Sequence, residues 1–384
     1  MAGSVGGMWP DVSVIIPYYD NPEGLREVLA AVRAQDYQGR VEIIIADDGS
    51  PTPASQEPSL ADALSNVVLV RQDDLGFRAA AARNLGAAAA TGEVFAFIDG
   101  DTVPQPGYLT AAVAHVQRNR RAVIVGKRLT GPGLTEPRWL TDAWAATGNM
   151  SRADSTSWRY VISAVLTCSA NFFRHIGGFD ADFVGYGGED WEFGWRAWNA
   201  GAQLVHEPGA VAHHPEEDFG GRHRDVAEET RVKNIETLAL ARRITHPIAR
   251  PAGVVFDMAD VAIVVPEFDQ PGAAEAVIAS WLRIDAHVYA PEKSALFASD
   301  PRVSTGPPGA ERIRVTLTEA WALADAEMFY RRATDRFFQL PDGTEVATAR
   351  ALALTSPRTR ASGAWLGLAF LDDPQRLERV FAGW

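Results

Sequence analysis

Three short apolar runs constrain what this chain can fold into: VSVII at 12–16, VEIIIA at 41–46 and VFAFI at 94–98. Each is largely β-branched or aromatic, the pattern of a strand covered on both faces. Each stops abruptly, at Pro17, at Asp47-Asp48-Gly49-Ser50 and at Asp99-Gly100-Asp101. Helical patterns lie between them, with Leu25, Val28, Leu29 and Val32 on one face of the first and an Ala-rich stretch at 78–90 carrying Arg83 and Asn84. A shorter strand is expected at 67–70. Strands alternating with helices predict an α/β fold, a mostly parallel sheet with helices on both faces. Ligands of such sheets bind beyond the carboxyl ends of the strands, where these acids stand.

Asp-Gly-Asp by itself is turn chemistry. If the strand continues, Asp99 and Asp101 share a side; if the chain turns at Gly100, they splay around a common cation. Paired carboxylates without a cation or donors are costly to bury, and hard divalent metals prefer such oxygens.

Several function classes are excluded early. A net charge of −13 argues against general nucleic-acid binding. No Gly-x-Gly-x-x-Gly follows the first strand, as a dinucleotide-binding enzyme would require, and no Gly-Lys-Ser/Thr run marks a P-loop. Cys168 is the sole cysteine, so no intrachain disulfide forms. No apolar stretch approaches the ~20 residues of a membrane span, and residues 1–8 lack a signal-peptide pattern. The expected location is cytoplasmic, with residues 1–10 a loose arm. The 384 residues, 47% apolar, suffice for two domains.

Beyond a helix near 109–120 and a strand at 123–128, residues 130–158 show no clear periodicity and read as binding loops. Gly187-Gly188-Glu189-Asp190 opens a predicted helix, bringing two acids to its N-terminus. Trp191, Trp195 and Trp198 form a helical stripe, which favours core packing. Short strands are expected at 202–205 and 209–212, the second leading to His213-His214. Residues 215–229 form a candidate lid before a helix at about 230–243. Lys127, at a strand end, is either solvated or turned toward a ligand.

DVAIVVPEFDQP at 260–271 echoes DVSVIIPYYDNP at 11–22, and each copy is followed by an amphipathic helix and another strand. The second copy has no Asp-x-Asp and no Gly-Gly-Glu-Asp. Residues 249–384 therefore read as a smaller α/β accessory domain, a degenerate half-repeat suited to packing, homo-oligomer formation or acceptor docking, joined through 249–253.

The series VSVIIP (12–17), DDGS (47–50), ARNLG (82–86), DGD (99–101) and GGED (187–190) resembles glycosyltransferase family 2 with the GT-A fold, and its later part resembles the galactosyltransferase-type half of chondroitin polymerases and β-1,4-galactosyltransferases. The resemblance covers about 11–240 and implies a GT-A domain over 11–248. It implies a nucleotide-sugar donor, UDP-linked, held by Pro17, Tyr19, Asp47, Asp48, Arg83, Asp99 and Gly100. It implies Mn²⁺ or Mg²⁺ on Asp101, with His213 as the distal ligand, His214 the fallback and Asp99 contributing. Tyr186, Gly187, Gly188 and Trp191 would meet the acceptor, a glycan, lipid-linked glycan, protein or small molecule. Asp190 would act as general base with Glu189 orienting, giving transfer with inversion. Tyr186 stands where these relatives often have Trp. A non-catalytic nucleotide-sugar-binding or assembly subunit is the competing reading.

Overall fold

The computed structural model describes residues 9–215, 226–292 and 294–382. The chain divides into two compact units, residues up to 198 with 202–239, and 240 onward with 199–201. The division falls nine residues before the expected boundary at 248/249, inside a helix rather than in the stretch 249–253.

The first unit holds β1 (Val12–Tyr18), α1 (Pro22–Arg33), β2 (Val41–Asp47), β3 (Val68–Arg71), α2 (Ala79–Ala89), β4 (Val94–Ile98), β5 (Val103–Pro104), α3 (Tyr108–Arg118), β6 (Ala122–Thr130), α4 (Arg138–Thr147), β7 (Val165–Ser169), α5 (Ala170–His175), α6 (Glu189–Asn199) and β8 (Gln203–His214), then most of α7 (Val226–Arg243). Its sheet runs β3-β2-β1-β4-β7-β6-β8-β5, the mixed GT-A arrangement expected. β3, β2, β1 and β4 are parallel, and β7 is antiparallel to β4. Because β1 lies between β2 and β4, the chain leaves it in opposite directions, and the switch point opens a crevice at the carboxyl ends. Tyr18 is level with Asp47 across the ladder, so the ends of β1, β2 and β4 share one rim, the last two closing in acids.

Helix α2 reaches the sheet through Gly86, where a Cβ would lie 2.6 Å from Ile15 Cγ2. That close approach brings Arg83, one turn earlier, to the strand ends. Asn84 donates from Nδ2 to the Phe179 carbonyl at 2.7 Å and accepts from the Phe179 N–H at 2.9 Å, tying the Gly177-Gly178-Phe179 turn to the same helix.

Three sequence expectations change. Residues 130–158 are not all loop, since α4 is a ten-residue helix capped by Gly148 in the left-handed region. Its buried residues Leu140, Ala143, Trp144 and Thr147 follow the helical spacing i, i+3, i+4, i+7 over a short span. The two short strands are one, β8, kept continuous by a register shift opposite Gly126/Lys127. In the lid segment, 226–229 belong to α7, while 216–225 lie outside the described residues, as do 1–8 of the N-terminal arm. Among the described residues no helix is long and apolar enough to cross a membrane.

The second unit contains β9 (Val261–Val264), α8 (Ala273–Trp281), β10 (Ala286–Tyr289), β11 (Val303–Ser304), β12 (Ile313–Thr316), β13 (Trp321–Leu323), β14 (Phe337–Gln339), β15 (Glu345–Thr348), β16 (Arg358–Arg360) and β17 (Leu368–Phe370). Its larger sheet begins β11-β10-β9-β12-β15, matching β3-β2-β1-β4-β7 in order and direction. Val12 is level with Val41 and Val94; its counterpart Val261 is level with Ala286 and Ile313. Counting on from those pairs sets Thr318 and Ala320 where the first unit has Asp99 and Asp101. No helix intervenes between β11 and β12, so α2 and its Arg83 have no counterpart.

What anchors this second sheet is a buried ion pair. Arg312 donates from Nε to Asp260 Oδ1 at 2.8 Å and from Nη2 to Oδ2 at 2.6 Å, and Thr245 donates to Oδ1 at 2.7 Å. Arg312→Met should destabilise this unit by about 3–5 kcal/mol, because Asp260 is left charged and buried. Chemical denaturation of the full chain would show a lowered midpoint, and Arg312→Met combined with Asp260→Leu should recover much of it.

Candidate active site

One cleft at the rim of the first sheet is lined by Pro17, Tyr19, Asp48, Arg83, Asp99, Gly100, Asp101, Tyr186, Gly187, Glu189, Asp190 and His214, among others. Residues from five separated sequence motifs thus meet in one place.

Asp99 and Asp101 splay. The Thr102 N–H donates to the Asp99 carbonyl at 3.0 Å, turning the chain as β4 ends. Asp99 Oδ1 accepts from Arg83 Nη2 at 2.7 Å, while Asp101 Oδ2 lies 3.2 Å from His214 Nε2. Arg83 is almost wholly buried and donates its other arm, Nη1, to Glu189 Oε1 at 3.0 Å. Burial alone would lower its pKa, but Asp99 and Glu189 more than reverse this and hold the guanidinium above its ordinary value. A single cation therefore ties the end of β4 to the start of α6.

The helix N-terminus is built by glycine. Gly187 and Gly188 have φ of +88° and +96°, a region that penalises side chains. They swing the chain so that Glu189 and Asp190 begin α6. Burial, then the charge of Glu189, push the Asp190 carboxyl up to about 8; Arg83 pulls it down and Glu236 adds to the rise. Such a group sits near neutrality, where proton transfer is efficient.

The histidines alternate as strand residues must. His214 is buried and faces Asp101; His213 points to the other side, its Nε2 3.4 Å from the Gly131 carbonyl oxygen. Asp47 likewise turns inward. Its carboxylate accepts from Ser50 N–H at 2.8 Å, Ala54 N–H at 3.0 Å and Arg71 Nη1 at 2.7 Å, shaping the loop after β2. Asp48 remains on the cleft, accepting from Gln72 Nε2 at 2.5 Å and from the Arg78 N–H at 2.7 Å, with lone pairs to spare. Trp191 packs edge-on to Trp158, with ring centroids 6.1 Å apart, away from the lining, and Trp195 and Trp198 are core. Gly188 acts through the turn, not through the cleft wall.

Sequence reasoning missed Phe77 and Arg128. Phe77 stacks with Tyr186, centroids 6.3 Å apart, and the Gly185 N–H donates to the Phe77 carbonyl at 2.8 Å. Both rings are about half exposed at the cleft mouth. Arg128, not Lys127, faces the cleft; the charge of Lys127 is felt instead by Glu136 and His206. A parity count along β6 would have separated the two only once the strand register was known.

The donor set suits a hard or borderline divalent cation, with a carboxylate and an imidazole side by side. Among the described residues no three His, Cys, Asp or Glu side chains form a closed ligand set. A cation held by these two side chains would keep further coordination positions open to water and other oxygen ligands.

Residues 13–176 match the model of glycosyl transferase family 2, and residues 149–216 match that of the N-terminal domain of galactosyltransferase. A pre-mycofactocin glycosyltransferase of Mycobacterium tuberculosis is 30% identical over 209 residues, 53% of this chain and 42% of that one. A chondroitin synthase of Escherichia coli is 27% identical over 268 residues, 61% of this chain and 38% of the relative. The matches thus span less than half the length of these two relatives. A solved mannosyltransferase from Pyrobaculum calidifontis, in complex with GDP-Man and Mn²⁺, is a looser likeness. It is 17% identical with a TM-score of 0.46, over 62% of this chain and 66% of that one.

Proposed function

We propose, for a chain that matches glycosyl transferase family 2 over residues 13–176 and the N-terminal domain of galactosyltransferase over 149–216, that it moves a sugar from a UDP-linked donor to an acceptor hydroxyl with inversion at the anomeric carbon. The observation that carries this reading is that Asp99, Asp101, Glu189, Asp190 and His214 line a single cleft.

Pro17 and Tyr19 flank the nucleotide base, with Asp48 accepting from its N–H groups. Asp101 and His214 would hold Mn²⁺ or Mg²⁺, the imidazole favouring Mn²⁺. When bound, the cation offsets negative charge developing on the leaving diphosphate. Asp99, fixed by Arg83, presents its remaining oxygen to the ribose. Asp190 takes the proton of the acceptor hydroxyl as that oxygen attacks the anomeric carbon from the side opposite the diphosphate. Glu189, held by Arg83, orients the sugar hydroxyls, and Tyr186 with Phe77 offers a flat surface to the acceptor. A single displacement of this kind inverts the anomeric centre.

Release of UDP from a panel of UDP-sugars with Mn²⁺ tests the reading. Because one relative is named for pre-mycofactocin and another for chondroitin, the acceptors should span both kinds. Silence across the panel refutes the proposal, and tight donor binding without turnover supports the non-catalytic alternative. Asp101→Ala and His214→Ala should each abolish Mn²⁺-dependent UDP binding by calorimetry, while His213→Ala should leave it intact.

A further inference from the structure

We propose that Glu236, on α7, is a positioning residue for this reaction: it braces the Gly187-Gly188 turn and holds a negative charge behind the acid pair that the turn presents. The inference rests on the reading of Asp190 as the base.

Glu236 is buried, with only 8% of its surface exposed. It packs directly on the two glycines. A Cβ at Gly187 would lie 2.9 Å from Glu236 Oε2 and 3.0 Å from its Cδ, and one at Gly188 would lie 3.4 Å from its Cγ. No side chain could stand between this carboxylate and the backbone that leads into Glu189 and Asp190. One turn back on the same helix, Lys233 donates from Nζ to Glu236 Oε2 at 2.7 Å. Lys233 is half exposed and Glu236 is not, so the cation neutralises the acid from the solvent side.

A third buried carboxylate beside an acid pair is costly unless it is paired, and Lys233 pairs Glu236 from the solvent side. The charged groups acting on Asp190 are Glu189 on its own helix, Arg83 from α2 and Glu236 from α7. Arg83 is already shared between Asp99 and Glu189, and it favours ionised Asp190. Glu236 opposes it and raises the proton affinity of Asp190. Removing Glu236 should therefore weaken the base, and removing Lys233 should strengthen it. The opposite signs separate an electrostatic role from mere support of the turn.

The test is the pH dependence of kcat/KM for UDP release, measured at saturating Mn²⁺ with wild type, Glu236→Gln and Lys233→Met. UDP affinity is followed by calorimetry to report an intact donor site. The acid limb should move down by about one pH unit in Glu236→Gln and up in Lys233→Met, with UDP affinity unchanged in both. An unmoved limb in both variants overturns the proposal, as does a shift of the same sign in both. Should Glu236→Gln fail to fold, the upward shift in Lys233→Met still decides the matter. Wild-type protein that binds UDP yet turns over no donor refutes the parent reading, and this one with it. That failure is recognised because no profile then exists to shift.

Discussion

Asp190→Asn is expected to lower kcat by about 10²–10⁴-fold while leaving UDP binding in the presence of Mn²⁺ unchanged. The amide keeps the shape of the side chain and cannot accept the acceptor's proton. Donor binding survives because Asp190 is not among the groups proposed to hold base, ribose or metal. Wild-type activity should also rise with pH until about 8, because the base works only when ionised and its proton affinity is raised by burial and by Glu189. The sign is fixed: below that value most Asp190 is protonated and idle. A flat profile between pH 5 and 9, or an Asn variant of normal rate, would remove Asp190 from its proposed role.

Arg83→Met should have the second large effect, and on folding as well as on function. Its guanidinium answers both Asp99 and Glu189, and without it two partly buried carboxylates face each other with no cation between them. The expected loss is about 3–5 kcal/mol of stability, read as a lower denaturant midpoint, together with loss of UDP binding as Asp99 swings free. Arg83→Lys should rescue little, since one ammonium cannot span two acids on different elements as the planar fork does. An Arg83→Met variant of native stability would mean the two acids find other donors.

The rim of the first sheet was legible because its signals are local. A β-branched run that halts at acids needs no partner to be recognised as a buried strand with a ligand-facing end. The echo at 260–271 was legible for the same reason, and the topology of the second unit repeats it through five strands. Helix α4 did carry a local signal, since its buried Leu140, Ala143, Trp144 and Thr147 recur at i, i+3, i+4 and i+7, but that signal spans only ten residues within a stretch rich in Gly, Pro and Ser.

Sequence alone determined which chemical groups were available: the Asp-Gly-Asp turn, the Gly-Gly-Glu-Asp helix start, the doubled histidine and a second domain without either acidic motif. Tertiary structure decided how they divide the work. Strand side chains alternate, so one step of register sends His214 to Asp101 and His213 away, and makes Arg128 rather than Lys127 the cleft-facing cation. Arg83 becomes the bridge between two acids, and Glu236 the buried neighbour of the Gly187-Gly188 turn, only when α2 and α7 pack beside α6. Such pairings join residues more than about a hundred positions apart, a distance across which no local pattern carries information.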